Sequence, residues 1–278
     1  MNDQGLHARN PVFNMAIVVL CLLPALGLVA LGQTGDWYSG FVPAQAASKA
    51  LPGWCWESLT TLGDGRVQLA LMLPFCLRYP RVFWALVLGA LMAGMISRGV
   101  KVWIPLPRPA AVLDASQITI IGARLTSHSF PSGHTVSAFS FVVAWLALLG
   151  PWRVLPFVVI AALVGFSRIA VGAHWPVDVL AGALIGTLGG WAGLCLSRRF
   201  RWGLGVRAHW VLIAIAIVAI ATLPFDGQGY PDTLPWRIVA CTWGLGGFVM
   251  IYLVPLLRYG WQAVNAHLAG IATESRSM

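Results

Sequence analysis

Residues 131–150 read PSGHTVSAFSFVVAWLALLG. A short polar opening, Pro131 to His134, is followed by an unbroken run without a charged side chain. About 17–25 mostly apolar residues suffice for one helical crossing of a bilayer, so this stretch predicts a membrane helix whose first turn carries the polar groups. Similar runs follow at 153–172, 177–197, 209–224 and 236–257, and others precede it at 12–32, 66–79 and 82–104. The 66–79 run is the shortest, bracketed by Arg66 and Arg78, which must snorkel unless the helix reaches back through Leu62. The expectation is an all-α polytopic bundle of about eight spans in one integral-membrane domain, residues 1–278, with no separate soluble module.

Composition agrees. The chain has 278 residues, 10% of them charged, and a mean hydropathy of +0.78, whereas soluble domains carry about 25% charged residues. The formal charge of +9 therefore speaks to topology rather than to nucleic acid, which is not an expected partner. Arg78 with Arg81, and the cluster Arg198, Arg199, Arg201 and Arg207, fall on one side of the bundle, the side predicted to face the cytoplasm. Eight spans put both termini there. No cleavage site follows the first apolar run, which reads as a retained anchor. The five cysteines show neither a disulfide framework nor zinc spacing. The 14 tryptophans read as interfacial belts and packing, and the small residues Ala181, Gly182, Ala183, Gly186, Gly189 and Gly190 as a helix-packing stripe.

Ionisable residues at membrane depth are functional candidates by default, and here they gather at the opposite, outward end. Lys101 closes the third span, and Arg108 with Pro109 follows. Ser127-His128-Ser129-Phe130 leads into Pro131-Ser132-Gly133-His134. Ser167 and Arg168 lie near the end of the fifth span, and His174-Trp175-Pro176-Val177-Asp178 opens the sixth. Helix N-termini carry unpaired N–H groups and partial positive charge, which suit phosphate oxygens. Ser132 is a natural N-cap and Gly133 permits close backbone approach to an anion. Lys101, Arg108 and Arg168 add three cations. Phosphoryl transfer needs such a clamp around the transferring group, together with a nucleophile or base and an acid. Asp178, four residues after His174, is placed to hold one ring nitrogen so that the other attacks phosphorus, and His134 is then the acid. Glu57 and Asp64 read as surface carboxylates, Asp114 and Arg124 as loop charges, Asp226 and Asp232 as solvated, and Trp175 as packing; Arg98 either snorkels or joins the site.

Lys101 with Arg108-Pro109, then Pro131-Ser132-Gly133-His134, then Ser167-Arg168 with His174 and Asp178, resemble the three signature motifs of the type 2 phosphatidic acid phosphatase (PAP2) superfamily: K-x6-R-P, P-S-G-H and S-R-x5-H-x3-D. Every fixed position matches. The resemblance implies a six-helix catalytic core over roughly 60–200, two further helices in 201–278, and metal-independent hydrolysis of a lipid phosphate through a phosphohistidine, without a cofactor. On that pattern His174 is the nucleophile, Asp178 its orienting partner and His134 the general acid, while Lys101, Arg108, Ser132, Gly133 and Arg168 bind phosphoryl oxygens. It further suggests a bacterial inner-membrane enzyme with its site facing the periplasm and no obligate protein partner. Undecaprenyl pyrophosphate is the first substrate choice; lipid A 1-phosphate, phosphatidylglycerophosphate and phosphatidate stay open, as does transfer to a second lipid.

Overall fold

A computed structural model describes residues 11–258. The expectation that both termini lie on one side falls on residues outside that range. Among the described residues the regular structure is entirely helical. Four helices are long and apolar enough to cross a membrane: α1 (Pro11–Gln33), α5 (Pro80–Trp103), α9 (Pro176–Arg199) and the segment Leu234–Arg258. The last begins as α11 (Leu234–Cys241) and continues through two π-helical stretches. Three shorter apolar helices, α7 (Gly133–Leu149), α8 (Leu155–Ala170) and α10 (Val206–Ala221), join them. The remaining helices are short: α2 (Phe41–Ser48), α3 (Gly53–Thr61), α4 (Gly65–Met72) and α6 (Pro109–Val112). Apolar side chains crowd the outer surface, among them Leu23 and Val29 on α1, Met95 on α5, Val159 on α8 and Val218 on α10. In water such a surface would drive aggregation; in lipid it is the expected exterior. The chain is a multi-pass membrane protein.

The run expected as a second span departs from a single helix. It is α4 passing into a 3-10 turn over Leu73–Phe75, and the reach back through Leu62 is interrupted at Leu62–Asp64, where α3 has ended. The division at Leu62–Asp64 has a packing reason: a side chain on Gly63 would lie 2.8 Å from the Cβ of His134 and from Val164. Asp64 restarts the helix as an N-cap, accepting the Arg66 N–H at 2.8 Å. Pro74 has no N–H with which to continue α-helical bonding.

At the centre, α9 packs against α5 and α7 along the small-residue stripe. A Cβ on Gly193 would collide with the backbone of Gly89 on α5, one on Gly186 with the Val136 carbonyl on α7, and one on Gly189 would lie 2.5 Å from the Ala93 Cβ. Backbones this close gain dispersion contacts that larger residues would forbid. The stripe is thus helix packing. Apolar layers surround it: Phe83, Leu86, Phe141 and Ile220 on one side, and Phe13, Val142, Leu146 and Val164 on the other.

Candidate active site

The ends of α5, α7, α8 and α9 converge with the 104–130 loop, and the hydrogen bonds there are specific. The Ser132 N–H donates to the Asp178 carbonyl (3.0 Å), which ties the start of α7 to the first turn of α9. Past the end of α8 the backbone doubles back, and the N–H groups of Ala173 and His174 both donate to the Arg168 carbonyl (3.0 and 3.1 Å). Gly172 makes that turn, with φ +76°; a side chain there would be strained and would meet the Thr119 carbonyl at 2.6 Å. Pro176 occupies the first turn of α9, where its missing N–H costs nothing.

Asp178 is fully buried, and its Oδ2 accepts three donors: the Trp175 N–H at 2.9 Å, His174 Nδ1 at 3.1 Å and the Ser129 hydroxyl. The other ring nitrogen, His174 Nε2, lies 3.2 Å from Arg108 Nη1. A guanidinium only donates, so Nε2 is the accepting nitrogen and the ring proton sits on Nδ1 against the carboxylate. The contacts thus select one tautomer. Burial, and then Arg108, Arg168 and Lys101, holds the His174 imidazole well below its ordinary pKa. Arg108 is itself pushed down to about 10 by burial and by Arg168.

Around this pair stand the cations. Arg108 donates from Nε to the Ser127 carbonyl (2.9 Å) and from Nη1 to that of Ala173 (3.0 Å). Lys101 Nζ donates to the His128 carbonyl (2.9 Å). Arg168 is 3% exposed, its Nη1 donates to the hydroxyls of Thr60 and Tyr230 (2.8 Å to the latter), and its Nε has no partner among the described residues. Three cations face one carboxylate, so the cluster favours an anion.

Ser132 stands at the N-cap position of α7, but its side chain makes no cap bond and its Oγ accepts from Thr135 Oγ1 (3.0 Å) instead. A Cβ on Gly133 would meet no atom within 4 Å, so the first turn is approachable at the backbone. His134 and Gly133, with Lys101, line a cavity of about 770 Å³. Its polar end also includes Asp64, Arg66, Arg98 and Gln228, and its far end Leu86, Val87, Ala90, Leu91, Leu212 and Ile215. Arg98 therefore belongs to the cavity wall.

Several sequence readings change. Glu57 and Asp64 are buried, at 6% and 9% exposure. Burial raises the Glu57 pKa, and Asp64 accepts Arg66 and Gln228 besides capping α4. Asp226 is exposed yet pairs with Arg66 at 3.2 Å. Trp175 packs as expected, against Tyr38 and Phe41, and its indole N–H also holds the Pro107 carbonyl (2.8 Å) beside Arg108. Arg124 bonds the Ala110 carbonyl. Three contacts escaped sequence reasoning: Ser129 on Asp178, and Thr60 and Tyr230 on Arg168. Ser129 was adjacent to a motif, whereas Thr60 and Tyr230 lie 108 and 62 residues from their partner, with no spacing signal.

Residues 82–203 match the model of the PAP2 superfamily. Local similarity extends to the undecaprenyl-diphosphatase of Sulfolobus acidocaldarius, 40% identical over 62 residues (22% of this chain, 30% of that protein). It extends also to the lipid A 1-phosphatase of Rhizobium etli, 33% identical over 115 residues (41% and 46%). The chain spans about a third to a half of the length of the curated relatives it matches first. The crystal structure of Aquifex aeolicus LpxE overlaps with a TM-score of 0.47 at 28% identity, covering 51% of this chain and 85% of that one. The PAP2 match contains every cation and both histidines of the cluster, whereas Thr60, Asp64, Gln228 and Tyr230 lie outside it.

Proposed function

We propose that the protein is a membrane lipid phosphatase that takes the terminal phosphoryl group of a lipid phosphate or pyrophosphate onto His174 and then gives it to water. The observation that carries this reading is the lone pair of His174 Nε2, turned to Arg108 within the field of Arg168 and Lys101, while Asp178 holds the Nδ1 proton. In the first step Nε2 attacks phosphorus, the bond to the leaving oxygen breaks, and His134 gives that oxygen its proton. In the second, His134 takes a proton from water, whose oxygen displaces Nε2 and releases inorganic phosphate. Lys101, Arg108, Arg168, the Ser132 hydroxyl and the first-turn N–H of Gly133 stabilise the charge on the equatorial oxygens. Asp178 stabilises the imidazole as it gains positive character.

The cavity supports a lipid rather than a soluble ester: its polar end meets His134 and Lys101, and its walls turn apolar between α4, α5, α7 and α10. Undecaprenyl pyrophosphate is the first substrate choice, in keeping with the Sulfolobus acidocaldarius undecaprenyl-diphosphatase; lipid A 1-phosphate, in keeping with the Rhizobium etli lipid A 1-phosphatase, is the second. A bacterial inner membrane with the site on the periplasmic face completes the proposal, since the clusters at Arg78–Arg81 and Arg198–Arg207 belong to the opposite helix ends.

The test is phosphate release from undecaprenyl pyrophosphate by the full chain in detergent with EDTA, beside His174→Ala. Release by the parent and none by a variant with an unchanged melting temperature is expected. Release that needs added Mg²⁺, or that survives in the variant, would overturn the mechanism. Release from lipid A but not from the polyprenyl substrate would move the substrate while keeping the site.

A further inference from the structure

The catalytic motifs account for where Arg168 is but not for what holds its guanidinium. Its Nη1 is gripped by two hydroxyls, Thr60 Oγ1 on α3 and the Tyr230 phenol from the loop between α10 and α11. Both lie outside the PAP2 match. The arginine only donates, so both oxygens accept from it, and each keeps its own proton free to donate elsewhere. Tyr230 is 6% exposed, and its ring lies 5.7 Å from the Arg168 guanidinium carbon. It belongs to one buried cluster with Trp56, Val171 and Ala173, the last being the neighbour of His174.

The loop that delivers Tyr230 is firmly built. Arg237 donates to the carbonyls of Leu223 (3.0 Å) and Pro224 (3.2 Å) and to Thr233 Oγ1 (3.1 Å), and Thr233 in turn bonds the Tyr230 carbonyl at 2.7 Å. From the other side Arg66 holds Thr222 Oγ1 (3.1 Å) and the Asp226 carbonyl (3.1 Å), and Gln228 reaches Asp64 at 3.0 Å. Gly122, at φ +82°, leaves room for the tyrosine, whose ring would lie 2.6 Å from a Cβ there. Two arginine-anchored turns, one of them on the buried Arg237, and a matching glycine are more than a connection between two helices needs.

We propose that Thr60 and Tyr230 are positioning residues for Arg168, so that the segments flanking the PAP2 match complete its phosphate clamp. This rests on the phosphatase reading above. The hydroxyls fix Nη1 and thereby direct the remaining edge of the guanidinium, including the unpartnered Nε, toward the anion. Such an arrangement trades rotational freedom of a long side chain for a preset geometry.

The experiment is a double-mutant cycle on the full chain in detergent. Tyr230→Phe keeps the ring and Thr60→Val keeps the shape; Arg168→Lys removes the group they act on. Two quantities are measured for each: kcat and KM for lipid phosphate hydrolysis, and the affinity for inorganic orthophosphate by calorimetry, which needs no turnover. Each single hydroxyl variant is expected to lower kcat/KM by about tenfold, the scale of a hydrogen bond to a charged group, and to weaken orthophosphate binding in step. In the Arg168→Lys background the same changes should shift either quantity by no more than about twofold. Effects that persist undiminished in that background, or variants that match the parent in both quantities, would overturn the positioning role. Losses that follow only the melting temperature would show a merely structural one. A parent that binds orthophosphate through Arg168, Thr60 and Tyr230 yet releases none from any lipid would retain the clamp and sink the phosphatase reading instead.

Discussion

The segment 82–203 that matches the PAP2 model and the segments on either side of it contribute to one site in different ways. Within 82–203 the chemistry lies on helix ends: Lys101 closes α5, His134 opens α7, Arg168 closes α8, and His174 and Asp178 lead into α9. Outside it the contributions are lateral. Thr60 and Tyr230 touch a cation rather than the nucleophile, and Asp64, Arg66 and Gln228 form the polar rim of the cavity. Groups of the first kind hold charge where a reaction would need it. Groups of the second kind limit how that charge can move.

Substitutions can break or sharpen that division. The largest effect should come from inside the matched segment. Asp178→Asn keeps the shape of the α9 start but removes the charge that fixes the His174 tautomer, and kcat should fall by about a thousandfold or more with KM little changed. A change confined to KM would assign Asp178 to binding. Next is Arg108→Gln, read by the pH profile of kcat/KM. Arg108 helps hold the His174 pKa down, so His174 stays unprotonated and nucleophilic well into mildly acidic solution. Removing that cation lets the His174 pKa rise, so the acid limb should move to higher pH, in addition to a loss of rate. An unmoved limb would mean that burial, with Arg168 and Lys101, sets the pKa without Arg108. The smallest effect belongs to the rim. Asp226→Asn breaks a half-exposed pair with Arg66 and should cost less than about 1 kcal/mol of stability, measured by chemical denaturation, with kcat within about twofold. A loss as large as that of Tyr230→Phe would move the rim from support to mechanism.

The same division explains what was legible in the chain. Lys101, Arg108, His134, Arg168, His174 and Asp178 stand out because charges are rare beside apolar runs, and because helix geometry turns a four-residue spacing into a shared face. The stripe from Ala181 to Gly190 was readable for a related reason, since small residues at helical spacing imply close backbones. The broken second segment was not. Gly63 ends α3 because of what α7 and α8 place opposite it, and no local pattern encodes that. Asp64 and Glu57 read as surface because carboxylates normally are, and their burial depends on partners brought in by the segment between α10 and α11. The capping role expected of Ser132 failed for a local reason, as Thr135, three residues on, engages its hydroxyl. Tyr230 and Thr60 mark the far limit. A threonine in one turn and a tyrosine in another carry no sign that they share one guanidinium.

The glycine contacts of α9 with α5 and α7 have a mechanical consequence. A seam of backbone against backbone has no rotamers to shift, so the three helices behave as one stiff beam whose outer end carries the histidines. The two long members reach about 36 Å at 1.5 Å per residue, whereas α8 and α10 reach about 24 Å. A bilayer that thickens or thins therefore strains the short helices at the periphery first. The alignment of His134 with Asp178 is carried by the beam, whereas Arg168 rides at the end of α8, a helix that feels the bilayer first.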